Sequence, residues 1–203
     1  LGRSGRHAEA LAFWREEYIL NARIKRYSKP YVAVVDGIVM GGGVGLSLHG
    51  SHRIAGDRYL FAMPEVGIGF FPDVGATYAL PRLPGQAGLW LGLTGARIRR
   101  ADAVALGLAT HAVPSAALAG LVDALVAGEP VDAAIAAAAV DPGPAPSAAR
   151  TSFWPSMKVG LAGFLFWLCL INSRSSRLAS LEGCTLDEAT RLLARAASPV
   201  ALN

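Results

Sequence analysis

Three groups of residues in this sequence have side chains or backbone suited to chemistry. The first is the run Gly41-Gly42-Gly43-Val44-Gly45. Backbone amides that open a helix have no intrahelical partner and carry partial positive charge. Glycines let a ligand oxygen come close to them. Such a run can cradle a phosphate or stabilise an oxyanion. No Gly-Lys-Ser/Thr follows it, and Leu46 stands where a dinucleotide fingerprint needs its third glycine, so the nucleotide versions fail. The run serves equally well as a tight strand-to-helix packing point.

The second group is Met63-Pro64-Glu65 with Phe70-Phe71-Pro72-Asp73. Glu65 and Asp73 are carboxylates in an otherwise apolar stretch. Acids in such company either reach the surface or sit desolvated with raised pKa values, as an acid–base pair requires. Spacing alone favours the surface reading. The third group is Arg15-Glu16-Glu17-Tyr18. On a helix Glu16 and Glu17 point about 100° apart, so at most one joins the apolar face. Glu17, beside Tyr18, is the better inward candidate, although a solvated face is the simpler reading. His49, His52 and His111 lack a nearby serine, cysteine or metal-spaced partner and are read as structural.

The elements that must hold these residues can be read from pattern. His7 to Arg26 is expected to be a helix, with Leu11, Trp14, Tyr18 and Ala22 recurring three and four apart. Lys29-Pro30 ends it. Tyr31 to Val35 suits a buried strand broken by Asp36-Gly37. A helix opens from the glycine run. Arg53-Ile54-Ala55 and Tyr59 to Met63 read as two extended pieces around a Gly56-Asp57 turn. Val74 to Leu83, Gly88 to Leu93 and Ala101 to Leu106 read as short helices between glycine and proline punctuation. Strands alternating with helices imply an α/β fold. Residues 116–149 suggest one helix and then a proline-rich linker. Val159 to Ile171 reads as a buried apolar helix. Thr185-Leu186-Asp187-Glu188 has capping-box form and is expected to start a last helix to about Ala196.

Bulk composition narrows the function. The chain of 203 residues is 53% apolar and carries a net charge of +4, enough for one domain with a real core. Residues 1–30 hold seven Lys/Arg against three Asp/Glu, and the rest of the chain is balanced. The simpler reading is a solvated helix face; the functional one is attraction of an anionic ligand such as a polyphosphate. No basic run interleaved with aromatics follows, so nucleic acid is not an expected partner. Cys169 and Cys184 are too few for a disulfide scaffold and lack metal-ligand spacing, which fits a reduced compartment. The longest apolar run, Val159 to Ile171, is too short to span a bilayer, and no membrane partner is expected. The first residue is Leu1, and no signal peptide follows it, which suggests a fragment.

Taken together, the motifs resemble one family. Lys29-Pro30-Tyr31-Val32-Ala33, Asp36-Gly37, Met40 to Ser47, His49-Gly50 and Arg53 occur in order. They are followed by Phe61-Ala62-Met63-Pro64-Glu65, Gly67-Ile68-Gly69, Phe71-Pro72-Asp73-Val74-Gly75, Leu80-Pro81-Arg82-Leu83, Leu93-Thr94-Gly95 and Gly107-Leu108-Ala109-Thr110-His111. This resembles the 3-hydroxyisobutyryl-CoA hydrolases of the crotonase (enoyl-CoA hydratase/isomerase) superfamily, densely over about residues 13–113.

The resemblance implies a crotonase-like spiral of ββα units, here incomplete and followed by C-terminal helices. By this division 1–113 is a partial core, 114–150 an Ala/Pro-rich helix and linker, and 151–203 a C-terminal helical segment. It implies hydrolysis of 3-hydroxyisobutyryl-CoA to the free acid and coenzyme A, a step of valine breakdown. Glu65 and Asp73 fall on the family's catalytic carboxylates, Gly42 on an oxyanion amide and Glu17 on a substrate-contacting glutamate. No cofactor or metal is implied, because coenzyme A is part of the acyl-CoA thioester substrate, and a homo-oligomer is expected. Enoyl-CoA hydratases carry a glutamate directly after Gly-Gly-Gly-x, where this chain has Gly45, and Asp73 stands where hydratases usually have glycine. That favours hydrolysis; the alternatives are a hydratase or isomerase of the same fold, or an inactive truncated remnant.

The family's N-terminal third, with the second oxyanion amide, is expected to be missing, which would forfeit about 3 kcal/mol of transition-state stabilisation. The segment Phe164-Leu165-Phe166-Trp167-Leu168 departs from the family pattern. Richness in alanine and arginine suggests a bacterial cytoplasm; in a eukaryote the implied compartment is the mitochondrial matrix.

Overall fold

The computed structural model describes residues 5–147. The glycine, carboxylate and Glu17 motifs all lie within this range. The apolar run 159–171, the capping box at Thr185 and both cysteines lie outside it.

The chain opens with helix α1 (His7–Lys25). Strands β1 (Val32–Val35) and β2 (Ile38–Val39) follow, split by the Asp36-Gly37 break, and helix α2 (Gly42–Ser47) opens from the glycine run. The next turn of the chain repeats the pattern with β3 (His52–Ala55) and β4 (Leu60–Phe61). A 3-10 turn (Pro64–Ile68), helix α3 (Ala76–Ala79), a second 3-10 turn (Leu80–Arg82) and helix α4 (Ala87–Thr94) complete that unit. Strand β5 (Ile98–Arg99), helix α5 (Arg100–Ala105) and strand β6 (His111–Ala112) come next. Helices α6 (Leu118–Val126) and α7 (Val131–Ala138) close the described chain.

The strands form two three-stranded sheets. In one, β1 pairs parallel with β3 and β3 with β6; in the other, β2 pairs parallel with β4, and β4 antiparallel with β5. Each strand pair therefore lays one strand in each sheet; β3 and β4 add beside β1 and β2 in the same direction, whereas in the third pair β6 runs parallel to β3 and β5 antiparallel to β4. This is the arrangement of a spiral of ββα units. One carboxylate ties the corner between the sheets. Asp36, in the β1–β2 break, accepts hydrogen bonds from the Arg58 amide at 3.0 Å and the Ser115 hydroxyl at 2.7 Å.

Two apolar clusters fill the described chain. Val39, Phe61, Met63, Leu80, Leu91 and Ile98 belong to the larger. Ile54, Val113, Leu121 and Ile135 join the β1–β3–β6 sheet to α6 and α7. Helix α4 comes so close to the second 3-10 turn that a Cβ on Gly88 would stand 1.7 Å from the Leu80 carbonyl oxygen.

Three expectations change. The stripe Leu11, Trp14 and Tyr18 is not the buried face of α1: these residues are 65%, 43% and 42% exposed, whereas Ala10, Asn21 and Ile24 are buried. Helix α1 packs chiefly against α2. The stretch Val74–Leu83 is not one helix. Val74 and Gly75 both have positive φ, so helical geometry begins only at Ala76, and the chain passes into a 3-10 turn at Leu80-Pro81. The alanine-rich stretch, expected to hold one helix, carries both α6 and α7, because Gly128 with positive φ and Pro130 interrupt it.

Candidate active site

Glu65 is placed by the 3-10 turn that starts at Pro64. Proline at the first position needs no amide partner and presets the backbone. Gly69 ends the turn in left-handed geometry, and the Phe70 amide returns to the Glu65 carbonyl at 3.0 Å. The end of α4 closes over it, with Gly95 packed against the Pro64 backbone. The Glu65 side chain is thereby only 8% exposed, and its Oε2 has no hydrogen-bond partner among the described residues. The surface reading that spacing favoured for this acid is wrong, because α4 covers the turn that carries it. Burial raises the Glu65 pKa; its own backbone amide opposes the shift, and the nearby Asp73 charge adds to it.

Asp73 sits in the loop between the stacked rings of Phe70 and Phe71 and helix α3. Its carbonyl accepts the Ala76 amide at 2.7 Å. Val74, the next residue, is buried with φ +46, a conformation that β-branched residues rarely adopt. His49 holds this kink: its ring Nε2 lies 2.9 Å from the Val74 carbonyl oxygen. Asp73 is half-buried, and burial raises its pKa, opposed by its own backbone amide and by the Tyr18 hydroxyl, which donates to it.

Glu17 comes to the same place from α1. Glu16 is exposed and Glu17 half-buried, so the inward choice between the two is Glu17. Its Oε1 packs over Gly42, 3.1 Å from where a Cβ of that glycine would stand. Its pKa is raised by burial and then by the Asp73 charge. Gly42 begins α2 after Gly41, whose φ of +51 turns the chain. Gly43 and Val44 bond back to Met40 and Gly41, while the Gly42 amide makes no backbone hydrogen bond among the described residues.

Asp73 is thus the hub of the predicted residues. It acts electrostatically on both Glu65 and Glu17, and Glu17 in turn touches Gly42. Three carboxyl groups share this region, and all three have raised pKa values, so the site favours holding protons.

A cleft of about 570 Å³ opens beside Asp73, lined by Tyr18, Asn21, His49, Asp73, Val74 and Tyr78 among others. Glu65, Glu17 and Gly42 do not line it. Lys25 and Arg26, from the basic N-terminal stretch, do. Sequence reasoning missed Asn21, which lies seven residues after Trp14 and about 20° round the helix from it; its approach to Gly45 runs across elements, and no local pattern carries it. His49, read as structural, does hold the backbone, at the Val74 carbonyl. Among the described residues no group of three His, Cys, Asp or Glu side chains could hold a metal, and no helix is long and apolar enough to cross a membrane.

A family model described as enoyl-CoA hydratase/isomerase matches residues 2–155. The mitochondrial 3-hydroxyisobutyryl-CoA hydrolase of Xenopus tropicalis is 56% identical over 126 residues, which are 61% of this chain and 33% of that protein. The corresponding mitochondrial enzyme of Danio rerio is 61% identical over 103 residues, 51% of this chain and 27% of that protein. The chain thus spans about a third of the length of the curated relatives it matches. Among solved structures, a carnitinyl-CoA dehydratase from Mycobacterium thermoresistibile superposes with a TM-score of 0.70 at 42% identity, covering 94% of this chain and 54% of that one.

Proposed function

The chain belongs to the enoyl-CoA hydratase/isomerase family, and from that premise we propose that it hydrolyses a short 3-hydroxyacyl-CoA thioester, 3-hydroxyisobutyryl-CoA above all. The observation that carries the reading is the pairing of buried Glu65 with Asp73. Each is held with raised proton affinity, and no side chain at Gly45 supplies the acid that a hydratase uses. The names of the 3-hydroxyisobutyryl-CoA hydrolase relatives support the same substrate.

Glu65 is the general base in this proposal. A carboxylate whose pKa is lifted towards neutrality takes a proton from water more readily than an ordinary one. The water oxygen bonds to the thioester carbon as its proton passes to Glu65. The amide of Gly42 then stabilises the oxygen that becomes negative. Collapse breaks the carbon–sulfur bond, and the proton goes to the leaving thiolate, giving the hydroxy acid and free coenzyme A. Glu65 attacking the thioester carbon directly is the covalent version of the same step. Asp73, hydrogen-bonded by Tyr18, positions the acyl group or holds the transferred proton. Glu17 contacts substrate beside Gly42. We place the reaction in valine breakdown, in the bacterial cytoplasm or the mitochondrial matrix, and we expect the working form to be a homo-oligomer.

The test is release of free thiol from 3-hydroxyisobutyryl-CoA, with Glu65→Gln as the control. Thiol release that survives Glu65→Gln unchanged overturns the assignment of the base. A hydratase or dehydratase reading has the dehydratase-named structural neighbour behind it. It predicts hydration of crotonyl-CoA without thiol release.

A further inference from the structure

Asn21 lies on α1, one turn beyond Glu17, and is only 5% exposed. Neither atom of its amide, Oδ1 or Nδ2, has a hydrogen-bond partner among the described residues. Buried amides without partners are rare, because their lost hydration is not replaced. Two open valences on one side chain therefore call for a ligand group. The residue borders the cleft that Asp73 and Tyr18 also line.

The amide also takes the place of another side chain. A Cβ built on Gly45 would stand 2.8 Å from Asn21 Oδ1 and 2.9 Å from Nδ2, with the Val74 Cβ at 3.0 Å. A side chain at position 45 and the amide of Asn21 thus compete for one space. The polar group the fold presents there is neutral, and it can donate and accept but cannot take up a proton. It can bind a group but cannot activate water.

We propose that Asn21 is a specificity-determining residue that recognises the hydroxyl of a 3-hydroxyacyl thioester. This rests on the thioester-hydrolase reading above and goes beyond it by naming the group that selects the acyl chain. The chemistry narrows the ligand. An alcohol donates and accepts at one oxygen and so matches both atoms of the amide. A carbonyl would satisfy only the donor, and an ammonium only the acceptor. An anion, which only accepts, would leave Oδ1 unmet.

The test compares 3-hydroxyisobutyryl-CoA with isobutyryl-CoA, which lacks only the hydroxyl, in the full chain and in Asn21→Leu. The expected result is that the ratio of kcat/KM for the two thioesters falls on the order of ten-fold or more in Asn21→Leu, because the variant keeps bulk but loses both valences. Asn21→Ala gives the same fall in ratio should leucine not pack. Equal loss on both thioesters, or an unchanged ratio, assigns the amide to packing or an internal water and overturns the proposal. If the parent chain releases thiol from neither thioester, the hydrolase reading fails, and calorimetric Kd values for the two thioesters decide the role of Asn21 separately. The expected outcome is then a preference for the hydroxylated thioester in the parent that Asn21→Leu loses, and a parent with no preference overturns it.

Discussion

The ring Nε2 of His49 lies 2.9 Å from the carbonyl oxygen of Val74. A carbonyl only accepts, so this nitrogen carries the hydrogen. The bond holds a β-branched residue at φ +46, directly after Asp73. Such backbone costs on the order of 1–3 kcal/mol and persists only where its surroundings enforce it. His49→Leu is expected to destabilise the chain by about 1–3 kcal/mol, the cost of a buried acceptor left unpaired. His49→Gln, whose amide nitrogen can donate in the same direction, should lose less. Urea melts of the three proteins measure this, and equal losses for both variants would show that the hydrogen bond is not what matters.

Glu65→Gln separates catalysis from stability. Thiol release should fall by roughly 10²–10⁴-fold, the usual worth of a positioned acid or base. Stability should move the other way at neutral pH. Burial raises the folded pKa of Glu65 above its ordinary 4.5, so folding favours the neutral acid. Its contribution to stability is fully present below 4.5 and is lost as pH rises through the folded pKa. The glutamine variant has no such loss. Denaturant melts should find it gaining on the parent as pH rises from about 4.5 towards 7, and a constant difference across that range would refute the buried placement of Glu65.

Asp36 predicts the opposite pH dependence. Hydrogen bonds from the Arg58 side chain, the Ser115 hydroxyl and the Arg58 amide lower its pKa from 3.8 to about 2. A depressed carboxylate contributes stability above its unfolded pKa and loses it as pH falls through the folded one. Asp36→Asn should therefore melt below the parent at neutral pH, and the gap should close between about 3.8 and 2. A gap that persists at the acid end would mean that the corner between the sheets is held by packing rather than by this charge.

Local chemistry made much of this fold legible before any coordinates. The break at Asp36-Gly37, the helix stop at Lys29-Pro30 and the turn from the glycine run into α2 are each written in one or two residues with a single physical meaning. Strands β2, β5 and β6 were not legible, because each has only two residues and no period can be read from so few; β4 is as short but lies inside the longer extended stretch Tyr59 to Met63. The buried face of α1 was misread for a different reason. Its aromatic residues follow a helical period, but the surface that α1 meets is the six-residue α2, and Asn21 is buried while Trp14, two turns earlier and only about 20° away round the helix, stays exposed. The Glu65–Asp73–Glu17 grouping came from family resemblance, since spacing alone left Glu65 on the surface. What buries it is α4, an element whose contact with Pro64 no local rule predicts.

Two glycines give a last prediction, in which the same substitution has opposite signs. Gly88 lies in α4, and a methyl group there would stand 1.7 Å from the Leu80 carbonyl oxygen and 2.3 Å from its carbon. Those are backbone atoms fixed by the second 3-10 turn, so they cannot swing aside as a flexible side chain would. Gly88→Ala must push α4 away from the turn, opening the larger core cluster around Leu80 and Leu91, and is expected to cost at least about 1–3 kcal/mol. Gly120 lies inside α6 with nothing within 4 Å of its would-be Cβ. There alanine meets no obstacle and restricts the unfolded chain, so Gly120→Ala should stabilise by about 0.4–1 kcal/mol. Thermal or urea melts of the two variants read the difference directly. Because α4 also covers Glu65, the Gly88 variant should lose thiol release along with stability, whereas the Gly120 variant should keep it; a Gly88→Ala protein as stable as its parent would mean that α4 does not approach Leu80 this closely.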